Sequence, residues 1–114
     1  MLRTATLAFV AVLALGLACG PPPPPPIPPL TPQTAAALLH YDNRAKNWLI
    51  TIRRRDPSCD YNLTLPDQAS HPTVIDLNHI VSCGGRPSPR EFDASVSFEY
   101  DRNQHAWVIR RFSS

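Results

Sequence analysis

The sequence predicts an α+β fold: one N-terminal amphipathic helix packed on a four-stranded antiparallel meander, stapled by one disulfide. Three observations lead there. Apolar residues recur every three or four positions from Leu38 to Ile52, the repeat of one helix face. Beyond Cys59 the repeat changes to alternation, clearest from Phe92 to Tyr100. Two cysteines, Cys59 and Cys83, bracket the first two strand-like stretches. The domain these imply runs over residues 32–114, about 80 residues, room for one thin core and no more.

What precedes it is of another kind. Arg3 is a short positive head, and Leu7 to Leu17 is an apolar run, mostly Leu, Ala, Val and Phe. A bilayer span takes about 20 apolar residues, so residues 1–18 fit a cleaved secretory signal. A cut after Gly20 would place Pro21 next to the scissile bond, whereas a cut after Ala18 leaves Cys19 as the new N-terminus. Leu15-Gly16-Leu17-Ala18-Cys19 resembles the lipobox of bacterial lipoproteins, with Gly16 and Leu17 standing where leucine and a small residue are usual. That resemblance implies lipidation at Cys19, palmitate among its acyl chains. It also implies membrane anchoring on the periplasmic or extracellular side of a cell envelope, the outer membrane favoured over the inner.

Cysteine arithmetic agrees with this. Of three cysteines, lipid on Cys19 leaves Cys59 and Cys83 as an even pair in an oxidising compartment. Residues 19–31 then form the linker. Nine of the 14 prolines lie between Pro21 and Pro32. Consecutive prolines have φ fixed and no amide donor, so this stretch is polyproline II. Gly20 to Leu30 at ~3.1 Å per residue would hold the domain about 34 Å off its anchor. A docking ligand for aromatic grooves is the other use of such a run.

Within the domain, Thr31-Pro32 reads as an N-cap followed by proline at the first helical position. Leu38, Tyr41, Ala45, Trp48 or Leu49, and Ile52 form the buried stripe of a single helix, with His40, Asn43, Arg44 and Asn47 opposite. Arg53, Arg54 and Arg55 suit the negative helix end, and Asp56-Pro57 stops it. The strands follow: Tyr61 to Leu65, Val74 to Val81, Phe92 to Tyr100, and Ala106 to Phe112. In the last, Trp107 and Ile109 share one face while Val108 and Phe112 fall on the other, which suggests a central strand or a cavity-lining one. The element order and the closing "AWVIRRF" are similar to cystatin and NTF2-like folds, where a curved sheet packs on a helix.

In an antiparallel hairpin Cys59 and Cys83 lie side by side. Closing a loop of about 25 residues stabilises by roughly 3 kcal/mol in the chain-entropy model. Neither C-x-x-C nor H-x-x-x-H spacing supports a metal, although His71 and His79 are nearby in sequence. The four histidines are scattered, no phosphate-cradling glycine loop occurs, and Gly84-Gly85 reads as a turn. No catalytic set, cofactor or metal is therefore expected. With 11 Lys and Arg against 9 Asp and Glu, net charge +2, the chain has no electrostatic footprint for nucleic acid.

The expectation is a non-enzymatic, lipid-anchored cell-envelope protein that binds a partner protein or a cell-wall component. The alternative is a cleft-bearing domain of cystatin or NTF2-like type that binds a small apolar ligand or inhibits an enzyme. Its cleft would be lined by Trp48, Phe98, Tyr100 and Trp107.

Overall fold

The computed structural model describes residues 20–23, 25–69 and 73–114. The signal segment 1–18, Cys19 and His71 lie outside them. Among the described residues there are two helices, α1 (Pro32–Tyr41) and α2 (Asn43–Arg55), and six strands. The strands are β1 (Cys59–Tyr61), β2 (Val74–Leu77), β3 (Val81–Cys83), β4 (Arg86–Pro87), β5 (Ser95–Asp101) and β6 (Ala106–Ser113). They form two antiparallel sheets of three strands each, in the orders β1-β3-β4 and β2-β5-β6. The fold is α+β, but neither the single helix nor the four-stranded meander exists, for two local reasons.

Asp42 divides the helix. Aspartate competes for nearby backbone donors, so it favours caps over helix interiors. Its backbone turns to φ −73°, ψ 124°, while its N–H still donates to the Leu38 carbonyl and closes α1. Its Oδ1 accepts from the Ala45 N–H at 3.0 Å and opens α2. The expected stripe therefore breaks at Tyr41, which is 80% exposed, and Leu39 is buried in its place. The outer ends are as expected: the Thr31 hydroxyl accepts from the Thr34 N–H, Pro32 is the first helical residue, and α2 ends at Arg55.

His79 divides the second strand. It takes φ 56°, in the left-handed region, and hydrogen-bonds through Nδ1 to the Asp93 carboxylate. The turn there sends the chain from one sheet into the other. Val74–Leu77 pairs with β5, whereas Val81–Cys83 pairs with β1, with Cys59 directly opposite Cys83. The Cys59–Cys83 disulfide is formed. The first strand is shorter than expected: Leu63 and Leu65 stay half-buried but lie beyond β1.

A bulge corrects the reading of β6. The register shifts between Ser97 and Phe98, so that Trp107 faces Tyr100, Ile109 faces Phe98 and Phe112 faces Val96. The extra residue is Arg110, and it returns Phe112 to the same face as Ile109 and Trp107. β6 is thus an edge strand with one apolar face, not a central strand. Phe92, expected in the β5 strand, sits instead in a short 3-10 turn over Arg90–Phe92 and is buried.

The core joins both sheets to the helices through Ala35, Leu39, Ala45 and Ile52 on one side and Ile75, Ile80, Val96 and Phe98 on the other. It starts before α1. Leu30 is 2% exposed, its N–H and carbonyl bind the Gln68 side-chain amide at 2.7 Å each, and the Trp107 indole N–H donates to the Pro28 carbonyl. The last residues of the proline stretch are part of the folded unit.

Candidate functional site: a helix-bounded groove

The four aromatics expected to line one cleft fall into separate groups. Trp48 stacks on Tyr61 at 6.3 Å between ring centroids, and Phe112 meets both edge-on, joining α2, β1 and β6. Tyr100 and Trp107 make their own edge-on pair at 5.6 Å. Phe98 is fully buried in the core. These contacts are packing, and they leave the concave surface elsewhere.

That surface is a groove of about 460 Å³ where α1, α2 and the β1 segment converge. Ala36 and Leu39 from α1, Leu49 and Ile50 from α2, and Leu63 after β1 give it apolar walls. Both helices line it, one on each side of the Asp42 break. Tyr61 fixes the third wall. Its hydroxyl donates to the Ala45 carbonyl at 2.6 Å, tying β1 to the first turn of α2. Burial, then the nearby Asp42 and Asp60 carboxylates, push the Tyr61 phenol well above its usual value, so it is neutral and donating across the ordinary pH range.

The rim is charged. His40, Lys46 and Arg53 border the groove against one carboxylate, Asp60. Ile50 is 44% exposed within it and, with Tyr41, is one of two large hydrophobic side chains left open to solvent among the described residues. The sequence reading missed this surface. Its one local signal is Ile50, an aliphatic residue off the buried stripe of α2, followed by Thr51 and one turn after Asn47.

Other candidates resolve into structural roles. Asp56 Oδ1 accepts from both the Ser58 hydroxyl and the Ser58 N–H, and these bonds hold its carboxyl below the usual value. Asp56 and the sulfurs of Cys59 and Cys83 lie within 4.8 Å of one another, but the sulfurs bond each other and offer no thiolate to a metal. The arginines are dispersed: Arg53 borders the groove, Arg55 lies over the Phe92 ring at 4.9 Å, and Arg111 belongs to the outer face of the larger sheet. Among the described residues no helix is long and apolar enough to cross a membrane. No protein-family model, curated protein or solved structure matches the chain.

Proposed function

We propose that this chain is an exported lipoprotein whose domain is a tethered, non-enzymatic binding module for a partner protein of the bacterial cell envelope. The observation that carries the reading is the groove: apolar walls, an open Ile50 and a basic rim. Walls of aliphatic side chains with charges only at the edge suit holding a segment by burial and steering it by charge. The occupant it fits is an extended or helical segment of another protein, apolar along its centre with acidic residues that meet Lys46 and Arg53. Anchoring rests on the lipobox-like residues ending at Cys19. Because Ile27 already packs against the core, the spacer before it is at most the seven residues 20–26, a reach of about 22 Å at the rise of an extended proline stretch.

Two measurements test the two halves separately. Intact mass of the membrane-extracted protein should give a chain beginning at an acylated Cys19, and Cys19→Ser should leave the protein unacylated and extractable without detergent. For the groove, a photocrosslinking residue at position 50 of the anchored protein should yield a discrete protein adduct. The same residue at exposed position 102 should not, and Lys46→Glu with Arg53→Glu should abolish the adduct. Equal labelling from both positions, or none from position 50, refutes the groove as the docking face.

A further inference from the structure

The larger sheet presents its outer face to solvent, and one row of side chains crosses it. Register places Asp76 of β2, Ser97 of β5 and Arg111 of β6 directly beside one another. The next row adds Ser95 and Ser113 from β5 and β6, with Asn78 at the end of β2. Together these residues line a polar pit of about 410 Å³.

Three features of the pit are unexpected in a merely solvated sheet face. Ser97 is 4% exposed, and its buried hydroxyl has no hydrogen-bond partner. Buried hydroxyls are normally paired, and each exception calls for an explanation. Asp76 and Arg111 carry opposite charges on either side of Ser97, yet they form no ion pair within 4.0 Å, and neither pairs with another described residue. The β2 and β6 backbones flank β5, about 10 Å apart at ordinary strand spacing, so the two charges can face each other across a small molecule. The bulge at Arg110 is what aims Arg111 outward; without it, the alternation from Trp107 would turn Arg111 towards the core.

We infer that this pit binds a small zwitterion, an α-amino acid or the like, with the Arg111 guanidinium on its carboxylate, the Asp76 carboxylate on its ammonium and the Ser97 hydroxyl between them. A guanidinium takes a carboxylate through two parallel N–H donors, which fixes orientation as well as charge. The pit contains no aromatic side chain on which a sugar ring could stack, so a charged ligand suits it better than a neutral saccharide. The site is on a different surface from the groove and does not depend on it.

The test is a titration of the full ¹⁵N-labelled chain in detergent micelles, with the disulfide intact. Alanine should shift the amides of Asp76, Ser97 and Arg111 saturably. Acetate and ethylamine, each bearing half the charge pattern, should bind at least about tenfold more weakly. Arg111→Gln and Asp76→Asn should each weaken alanine by about tenfold or more while leaving the rest of the spectrum in place. Both positions are solvent-facing, so loss of the fold is not expected of either. Ser97→Ala should weaken alanine while raising the thermal midpoint or leaving it unchanged, since the hydroxyl makes no bond in the free domain. Absence of saturable shifts, alanine binding no tighter than acetate and ethylamine, or glucose moving the same amides as strongly would each overturn the assignment.

Discussion

The two sheets of this domain are equal in strand number, three each, and opposite in what holds them. In β2-β5-β6, seven residue pairs join β5 to β6, and the inner face carries Ile75, Leu77, Val96, Phe98, Trp107, Ile109 and Phe112. In β1-β3-β4 the strands have three, three and two residues, and the buried side chains they contribute are Cys59 and Val81. The first sheet has enough apolar area to stay ordered by burial. The second does not, and it is completed by the disulfide, by Tyr61 bound to α2 and by the Asn62 N–H to Ile80 carbonyl bond. Covalent closure appears where the core is thinnest, as expected for so small a domain.

The contrast predicts different failures. Phe98 is at the centre of the larger sheet with no exposed surface. Phe98→Ala should cost about 3–5 kcal/mol, a large fraction of the total for this size. The domain should then melt near or below room temperature in a circular-dichroism scan. Retention of a midpoint within a few degrees of the parent would mean that the larger sheet is not the dominant source of stability.

Reducing the disulfide should cost less, roughly 3 kcal/mol, and the loss should begin locally. Amide exchange after reduction should accelerate first in β1, β3 and β4, while β5 and β6 keep their protection. Uniform acceleration across both sheets would show that they melt as one unit.

The same contrast governs what could be read from the residues alone. The β5–β6 hairpin, the Cys59–Cys83 pairing and the outer helix ends were legible, because each depends on short-range periodicity, loop closure or capping chemistry. The turn at His79 was not, because a left-handed histidine is stable only with Asp93 and the Ala94 carbonyl already positioned to receive His79 and Ile80. The bulge at Arg110 was also invisible, since a strand's own sequence does not show which residue its neighbour will skip. The pit follows from such a non-local choice, because the bulge aims Arg111 outward, whereas the groove is lined by two helices that meet at a local break, Asp42. Asp42 carried a local signal, a capping residue three positions before Ala45, but it was outweighed by an apolar repeat running through it.

Asp42 therefore offers a smaller and more pointed test. Asp42→Ala removes the cap on α2 and should cost about 1 kcal/mol, with the loss visible as a few degrees in the thermal midpoint. Alanine favours helix continuation, so the variant should also blur the boundary between α1 and α2. The photocrosslinking residue at position 50 would then lose its adduct although the substitution lies eight residues away. An unaltered midpoint together with an unaltered adduct would show that the break is imposed by packing rather than by the aspartate.

The smallest effect at neutral pH belongs to Tyr61, where the two halves of the molecule meet. Tyr61→Phe keeps the ring between Trp48 and Phe112 but removes the hydrogen bond to the Ala45 carbonyl, a loss of about 1 kcal/mol or less. Its signature lies in alkaline solution. The folded-state value of this phenol is raised above the ordinary value of 10.0, so above that pH the unfolded chain gives up a proton that the folded one retains. The tyrosine's contribution is thus complete below pH 10.0 and is lost as pH climbs above it. The parent domain should show a downward slope in denaturant midpoint through this range, and Tyr61→Phe should flatten the part of that slope due to this residue. Because Tyr61 ties β1 to α2, exchange in the smaller sheet should accelerate with alkali beyond the intrinsic rate increase, and more than in β5 and β6. If the slope persists unchanged in Tyr61→Phe, the alkaline sensitivity arises elsewhere, and the hydroxyl is not what fastens the weaker sheet to the helix.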